Sequence, residues 1–164
     1  MYMNVTMNLN KLTPVEKLKA AGLKPTPQRT AILQYLWSTT AHPTVETVHM
    51  AVKESFPSIS LNTVYCNLCA MEQKGLARRI DAGDGLCRYD GNSAPHAHIS
   101  CIGCRRVDDV QGPQPDLEQL IEEAQQTMGY AVEDHAIYFY GLCPDCRGKS
   151  NANGRKQIAE KDDI

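Results

Sequence analysis

The sequence predicts an α+β chain of 164 residues, with an N-terminal winged helix-turn-helix domain and a small C-terminal α/β dimerisation domain that carries a four-cysteine zinc site. Three observations lead to this class. Helix start signals and helical apolar spacing recur through the first half of the chain. A short basic hairpin pattern follows them, and two Cys-x-x-Cys pairs then bracket the second half.

Four helices are predicted in the first half because each is preceded by a residue that can cap it. Thr13 precedes Pro14 and is followed three residues later by Glu16, which is the capping-box pattern with proline at the first helical position. Apolar residues then recur at helical spacing, and glycine or proline ends the helices. The other three start signals are Thr26, Thr44 and Ser60.

The fourth predicted helix, from Ser60 to about Lys74, has two different faces. Its inward stripe is predicted to comprise Leu61, Val64, Leu68 and Met71. A polar, hydrogen-bonding front at a helix N-terminus suits the major groove of DNA, although an ordinary solvated amphipathic helix has the same pattern. The polar front comprises Asn62, Thr63, Tyr65, Cys66 and Asn67.

A basic hairpin is predicted after this helix. The strand-like segments 76–80 and 86–90 are joined by 81–85, which is rich in turn-forming residues. Helices followed by such a hairpin are the order of a winged helix, and Arg78, Arg79 and Arg88 place charge on or beside the wing. This order indicates a DNA-binding domain over residues 1–90, with a hinge at about 88–94.

The second domain is predicted over residues 91–147. Short strands are expected at 98–101 and 106–110, a helix from Asp116 to Met128, and a long strand from Ala131 to Leu142. The apolar side chains of this helix and strand exceed what so small a unit can bury alone, so we expect a homodimer. The polar tail 148–164 is expected to be disordered.

Charge and composition narrow the class further. Ten Lys/Arg and seven Asp/Glu give residues 1–91 a charge of +3, whereas seven and twelve give residues 92–164 a charge of −5. The basic half is the one suited to a phosphate backbone. Neither a signal-peptide pattern nor an apolar stretch of membrane-spanning length is seen. We therefore expect a cytoplasmic protein without a membrane partner, whose cysteine pairs bind metal rather than form disulfides.

Cys101, Cys104, Cys143 and Cys146 form the more specific of two candidate metal groups. Two thiolate pairs complete a closed tetrahedral zinc site with no position for substrate, so this zinc is structural. Near it, His96 and His98 alternate about Ala97 and point to one side of a strand. Imidazole nitrogens suit first-row divalent ions, although ordinary surface histidines are the competing interpretation.

Seven motifs follow one another along the chain. They are Thr26-Pro27-Gln28-Arg29, His42-Pro43-Thr44, Asn62-Thr63-Val64-Tyr65, Arg88-Tyr89-Asp90, His96-Ala97-His98, Cys101-x-x-Cys104 and Cys143-x-x-Cys146. In this order they resemble the ferric uptake regulator family over roughly residues 13–147. The resemblance implies a dimeric winged-helix repressor with a regulatory metal at the hinge between its domains, bound to a pseudo-palindromic double-stranded DNA operator.

The resemblance implies specific site residues. Aspartate at both Asp90 and Asp109 is similar to peroxide-sensing members of the PerR type, in which bound ferrous iron reacts with peroxide and oxidises a ligand histidine, here His42 or His96. The implied regulatory ion is Fe²⁺ or Mn²⁺, with Zn²⁺ able to enter in vitro. The implied regulatory ligands are His42, Asp90, His96, His98 and Asp109. The expected DNA contacts are Lys24, Arg29, Ser60, Asn62, Thr63, Tyr65, Asn67 and Arg78.

The chain also departs from the family pattern. Cys66 stands where the family usually has arginine, which predicts weaker contact with the DNA backbone. Pro95 and Ala97 replace ligands of a further family site, so we expect that site to be absent and His135 to be a packing or surface residue. Cys66, Cys69 and Cys87 are interpreted as small packing residues rather than redox switches.

The function expected from the sequence is thus metal-dependent repression in response to peroxide, by a protein that is not an enzyme. An iron- or zinc-uptake regulator of the same family is the alternative within the class. Outside it, the histidines and aspartates could serve a metal-dependent hydrolase, although no base or nucleophile pattern accompanies them. A zinc-stabilised protein–protein module is the third hypothesis.

Overall fold

The computed structural model describes residues 12–83, 85–113 and 115–149. Contacts within the chain divide it into two compact units between Ser93 and Ala94. This division falls inside the segment predicted as a hinge, while the DNA-binding and dimerisation roles of the two parts stay predictions. In the described ranges, no helix is long and apolar enough to cross a membrane.

Four helices in the first unit begin at the predicted caps. At each start a hydroxyl accepts a hydrogen bond from the backbone N–H three residues on, over 3.3 Å at Thr13 and Thr26, 3.4 Å at Thr44 and 3.0 Å at Ser60. Glu16 completes the capping box by accepting from the Thr13 backbone N–H over 2.8 Å. The helices are α1 (Pro14–Ala20), α2 (Pro27–Trp37), α3 (Val45–Lys53) and α4 (Leu61–Gln73).

The core of the first unit forms where the apolar faces of these helices meet. Fully buried side chains come from every helix, which confirms the helical spacing read from the sequence. Leu61 is the exception, because it lies at the first position of α4 and is 42% exposed. Asn67 takes a buried place on that helix instead. The fully buried helical residues are Leu18, Ile32, Leu33, Leu36, Val48, Val64, Leu68 and Met71.

A two-stranded antiparallel hairpin follows the helices and completes the winged helix. Strands β1 (Arg78–Asp81) and β2 (Cys87–Asp90) pair so that Arg78 lies opposite Asp90 and Asp81 opposite Cys87. The side chains of Ile80 and Tyr89 are fully buried. Each strand has four residues rather than the predicted five: β1 starts two residues later and extends to Asp81 in the predicted turn, and β2 starts at Cys87 rather than Leu86.

The second unit is a three-stranded sheet with one helix. Strands β3 (Ala97–Cys101) and β4 (Val107–Asp109) are antiparallel, whereas β5 (Ile137–Gly141) runs parallel to β3 on its other side. Helix α5 (Glu118–Met128) connects β4 to β5 and ends at Gly129 in the left-handed conformation. A further helical turn covers 144–149.

Two boundaries predicted for this unit were wrong. The helix begins at Glu118 rather than Asp116, because the Asp116 carboxylate accepts from the Glu118 N–H over 3.0 Å. The last strand begins at Ile137 rather than Ala131, since its partner β3 starts at Ala97, directly opposite Ile137. Of the predicted disordered tail, residues 148–149 lie in the final helical turn and 150–164 lie outside the described residues.

Much of the apolar surface of the second unit is exposed in the single chain. Helix α5, which is described throughout, has no buried residue. Leu120 and Met128 are 63% and 68% exposed, and Phe139 and Tyr140 of β5 are 51% and 58% exposed. A monomeric soluble unit of this size rarely leaves so much apolar area in water.

Candidate metal centres

The four predicted zinc ligands come together in the second unit. Their sulfur atoms all lie within 4.8 Å of one another, and Cys104 Sγ is 3.8 Å from Cys143 Sγ. A tetrahedron with Zn–S bonds of about 2.3 Å has an edge of about 3.8 Å, so the spacing fits a zinc ion. Cys101 lies at the end of β3, and Cys143 follows β5 two residues after Gly141.

Backbone N–H groups prepare this cluster for a cation. Cys101 Sγ accepts from the N–H of Cys143 over 3.3 Å and from that of Cys104 over 3.5 Å. These hydrogen bonds lower the pKa of the Cys101 thiol to about 6, so it is a thiolate at neutral pH. Hydrogen bonding with Cys143 and Cys101 raises the pKa of Cys146 to about 12. A bound metal ion would deprotonate all four thiols.

Close approach of the two cysteine loops requires a glycine. A β-carbon on Gly103 would lie 3.0 Å from Cys146 Sγ and 3.1 Å from its β-carbon. The loops are also tied by the Ile102 N–H, which donates to the Gly141 carbonyl over 2.8 Å. The cluster is therefore built by the packing of two turns at neighbouring strand ends, as expected for a structural zinc site.

A second donor group lies in the same unit, on β3 and β4. His98 and Asp109 are paired across the two strands, and His96 precedes β3. Asp109 Oδ1 lies 3.0 Å from His96 Nε2 and 3.6 Å from His98 Nε2. The two imidazole rings lie 4.4 Å apart between centroids, and His98 is 2% exposed. These residues thus present two nitrogens and a carboxylate at one place.

Neighbouring groups orient the two histidines. His96 Nδ1 is 2.8 Å from the Ala94 carbonyl, so a proton on Nδ1 would satisfy that acceptor and would leave Nε2, which faces Asp109, able to bind a metal. The His98 ring stacks on Tyr138 of β5 at 5.7 Å between centroids. Sequence reasoning missed both neighbours, because neither a loop carbonyl nor a tyrosine on another strand leaves a local signal.

The remaining two predicted ligands lie in the first unit. His42 Nε2 is 3.8 Å from Asp90 Oδ2, and the two residues are 3% and 7% exposed. His42 has φ 48°, an uncommon backbone conformation for a non-glycine residue. A backbone hydrogen bond fixes the chain next to His42: the Pro43 carbonyl accepts from the N–H of Tyr89, the residue before Asp90, over 3.0 Å. A left-handed backbone therefore directs His42 towards the end of β2.

Asp90 is positioned by its own turn. Its Oδ1 accepts from the Asn92 N–H over 2.7 Å, and Gly91 follows it. A β-carbon on Gly91 would lie 2.7 Å from the Leu36 carbonyl oxygen, so the chain passes α2 too closely for any side chain. Buried imidazole and carboxylate in contact are donors suited to a divalent first-row cation.

The residues predicted to contact DNA have different surroundings. Lys24, Ser60, Asn62 and Tyr65 are exposed, and Thr63 and Arg78 are half-buried. Asn67 is instead buried, with its Oδ1 accepting from Arg29 Nε over 2.8 Å and its Nδ2 donating to the Thr63 carbonyl over 2.8 Å. Arg29 also donates to the Lys24 carbonyl over 2.9 Å. Arg29 and Asn67 therefore join α2 to α4, a link that separate helix patterns could not predict.

Comparison with known proteins agrees with this architecture. The Ferric uptake regulator family matches residues 20–140. The peroxide operon regulator of Bacillus subtilis is 36% identical over 137 residues, covering 84% of this chain and 93% of that protein. A peroxide-responsive repressor, PerR, of Staphylococcus aureus is 37% identical over 135 residues, covering 82% and 90%.

Solved structures show the same fold. The Campylobacter jejuni peroxide stress regulator has a TM-score of 0.62 at 29% identity, covering 85% of this chain and 100% of that one. The Vibrio cholerae ferric uptake regulator has a TM-score of 0.61 at 27% identity, covering 79% and 98%. With the family match spanning most of its length, this chain belongs to the ferric uptake regulator family.

Proposed function

We propose that the chain is a metal-dependent, dimeric DNA-binding repressor whose regulatory metal responds to peroxide. The observation that carries this proposal is the donor chemistry: His42 touches Asp90, and His96 and His98 touch Asp109, so each half-site pairs imidazole with aspartate. Relatives named as peroxide-responsive, each covered over nine-tenths or more of its length, support this subfamily.

The regulatory ion, in this proposal, takes ligands from both half-sites. His42 and Asp90 of the first unit and His96, His98 and Asp109 of the second supply three nitrogens and two carboxylates. Such a nitrogen and oxygen set accepts Fe²⁺ or Mn²⁺, and Zn²⁺ where it is more available. Because the donors belong to two units, a bound ion stabilises one arrangement of the DNA-binding unit, which is how metal binding and DNA binding become linked.

Peroxide acts through loss of a ligand. Fe²⁺ held by these ligands would supply the electrons for peroxide cleavage, and His42 and His96 are the ligands that we expect to gain the oxygen atom. His42 is buried and His96 is half-buried with its Nδ1 against the Ala94 carbonyl, so a ring that has gained oxygen is not expected to restore the same coordination. Affinity for metal, and with it for DNA, then falls irreversibly.

The four-cysteine cluster has the structural role. Zinc held by Cys101, Cys104, Cys143 and Cys146 ties the end of β3 to the segment after β5. That tie is close to the strand pair carrying His98 and Asp109, and it substitutes for the apolar core that this unit lacks. A second copy of the chain would cover the exposed apolar side chains of α5 and β5.

The DNA-binding surface is proposed to be the exposed front of α4 with the nearby cations. Asn62, Thr63 and Tyr65 offer hydrogen-bonding groups near the N-terminus of α4, where Ser60 caps it. Lys24 and Arg78 supply phosphate contacts, while Arg29 and Asn67 position α4 from behind. A dimer presents two such helices to the half-sites of a pseudo-palindromic operator in the cytoplasm.

Anaerobic titration with Fe²⁺, Mn²⁺ and Zn²⁺ tests this function, with binding to a DNA fragment carrying the chain's own promoter as the readout. We expect Fe²⁺ and Mn²⁺ to promote binding, and peroxide to abolish it only in the iron-loaded protein. Peptides containing His42 or His96 should gain the mass of one oxygen. Metal-promoted binding that resists peroxide would instead indicate an iron- or zinc-uptake regulator. Absence of DNA binding with every metal would overturn the proposal.

A further inference from the structure

Three cysteines lie outside the zinc cluster, and two of them converge on one tyrosine. Cys69 lies on α4 and Cys87 at the start of β2, both half-buried. Cys69 Sγ is 3.9 Å from Tyr89 Oη. Cys87 and Tyr89 are two residues apart on β2, so their side chains lie on the same face of that strand.

Geometry brings both thiols to this tyrosine. Cys69 contacts Tyr89 Oη directly, and Cys87 shares the face of β2 that carries the fully buried Tyr89 side chain. Cys87 is also packed against the core to which α4 contributes. The two thiols, 18 positions apart in sequence, therefore lie on the fourth helix and on the wing strand beside one tyrosine.

Arg79 and Tyr65 lie near the two cysteines and Tyr89. Arg79 lies opposite Tyr89 in the β1–β2 ladder, and attraction to Cys87 and Glu72 raises the pKa of its guanidinium. On α4, hydrogen bonding with Cys69 raises the pKa of Tyr65, which lies one turn before it and is 47% exposed.

We propose that Cys69 and Cys87 are a redox-active dithiol that peroxide closes into an intramolecular disulfide. The Cys87 thiol gives up its proton as its sulfur attacks one peroxide oxygen, forming an S–O bond and breaking the O–O bond, and the departing hydroxide takes that proton to become water. The Cys69 sulfur then attacks the resulting sulfenic acid, so that an S–S bond forms, the S–O bond breaks and a second water leaves. Two thiols lose two electrons, and peroxide gains them.

A disulfide between Cys69 and Cys87 would lie close to the proposed DNA-binding surface. Cys87 is the terminal residue of β2, next to the wing turn, and packs against the core that includes Leu68 and Met71 of α4. The bond would fix α4 to the wing strand and displace Tyr65, one of the proposed DNA contacts. This response rests on the proposed DNA-binding function for its output, but it is reversible by thiols, whereas oxygen added to a histidine is not.

Cys66 offers a matched control. It is the third free cysteine and lies three residues before Cys69 on α4, but its Sγ is directed to Asn62 Oδ1, 4.0 Å away, on the exposed side. Residues three apart, such as Cys66 and Cys69, are neighbours on the surface of a helix. A Cys66–Cys69 disulfide is therefore the competing product. The structure favours Cys87 because it lies on the same face of β2 as Tyr89, which Cys69 contacts.

The first experiment identifies the bond. The full-length, zinc-replete protein, loaded with Mn²⁺ so that iron chemistry is absent, is treated with peroxide, alkylated and digested without reductant. We expect a linked peptide pair joining Cys69 to Cys87, lost in Cys69→Ser and Cys87→Ser and retained in Cys66→Ser. Thermal melting of each variant verifies folding, and Cys87→Ala replaces any serine variant that does not fold. Recovery of only a Cys66–Cys69 bridge, of only zinc-site cysteine oxidation, or of unmodified thiols would overturn the proposal.

The second experiment measures the output. Binding of the same Mn²⁺-loaded protein to its promoter DNA should fall several-fold after peroxide and return with dithiothreitol, and Cys87→Ser should abolish this reversible part. Unchanged DNA affinity in protein that carries the Cys69–Cys87 bond would refute the regulatory role. Failure of the untreated protein to bind DNA with any metal would instead refute the proposed function, so the two failures are distinguishable.

Discussion

His98 and Asp109 lie directly opposite each other in the antiparallel β3–β4 ladder, with Nε2 of the histidine 3.6 Å from Oδ1 of the aspartate. The sheet therefore sets two donors of the candidate regulatory site by backbone pairing rather than by a flexible loop. Cys101 ends the same strand as a zinc-site residue. Strand β3 thus connects the four-cysteine cluster to the candidate regulatory site. We therefore expect loss of zinc from the cluster to disturb the positions of the regulatory ligands on β3.

Asp109→Asn tests the donor role of this carboxylate. The amide keeps the size of the side chain but removes its charge, so affinity for Mn²⁺ should fall by at least about tenfold while the fold is kept. Isothermal titration of the zinc-replete protein measures it. Asp108→Asn is the control, because Asp108 lies next in sequence but pairs with Arg106 at 2.8 Å. Equal losses in the two variants would argue against a specific ligand.

Gly103→Ala tests the close packing of the cysteine loops. The new methyl group would lie 3.0 Å from Cys146 Sγ, so either the loops separate or the thiol shifts. We expect a loss of about 1–3 kcal/mol in stability together with faster loss of zinc to a chelator. Gly141→Ala in β5 meets nothing within 4 Å and should retain zinc. Normal zinc retention in Gly103→Ala would contradict the packing described here.

Asn67→Ala and Asn62→Ala distinguish a residue that positions α4 from a residue that contacts DNA. It leaves Arg29 Nε without its amide acceptor, so the free energy of unfolding should fall by about 1–3 kcal/mol. Asn62→Ala, on the exposed face of the same helix, should weaken DNA binding with little change in thermal stability. Chemical denaturation and promoter binding of both variants give the comparison. A destabilised Asn62→Ala variant or an unaffected Asn67→Ala variant would reverse the two assignments.

Cys66→Arg tests the departure from the family pattern. Cys66 is exposed on α4, so an arginine there can reach a DNA phosphate without disturbing the core. Each added phosphate contact steepens the dependence of log K on log salt by about 0.9, and affinity at low salt should rise accordingly. Cys66→Gln, which adds length without charge, is the control. A salt slope identical in both variants would place this position away from the DNA backbone.

Acid should destabilise the first helix through Glu16. Hydrogen bonds from the Thr13 backbone and hydroxyl hold the pKa of this carboxyl below its ordinary value of 4.5. A lowered folded-state pKa contributes stability that is present above pH about 4.5 and is lost as the pH falls through the folded value. Glu16→Gln should remove this part of the pH dependence, as seen in melting curves between neutral and acidic pH. A variant with the unchanged acid profile would exclude the capping contact as its source.

Local signals predicted most of the secondary structure and the zinc cluster. Capping residues and cysteine spacing act over a few positions, so Thr13, Thr26, Thr44 and Ser60 begin helices as expected. Partners far apart in sequence were not predictable. Nothing local to Asn67 indicates Arg29, 38 positions away, and the start of β5 depends on where β3 begins. The regulatory ligands were assigned from the family resemblance, because spacing alone supported only His96 and His98.

Peptide mass spectrometry of the iron-loaded protein, coupled to promoter binding, tests the central claim most directly. The zinc-replete protein is filled anaerobically with Fe²⁺, exposed to peroxide and measured in both ways on the same sample, with dithiothreitol present to remove any thiol contribution. The account predicts one added oxygen on His42 or His96 in proportion to the DNA binding lost, and no recovery on refilling with Fe²⁺. Loss of DNA binding with both histidines unmodified, or full binding with either one oxidised, would contradict it.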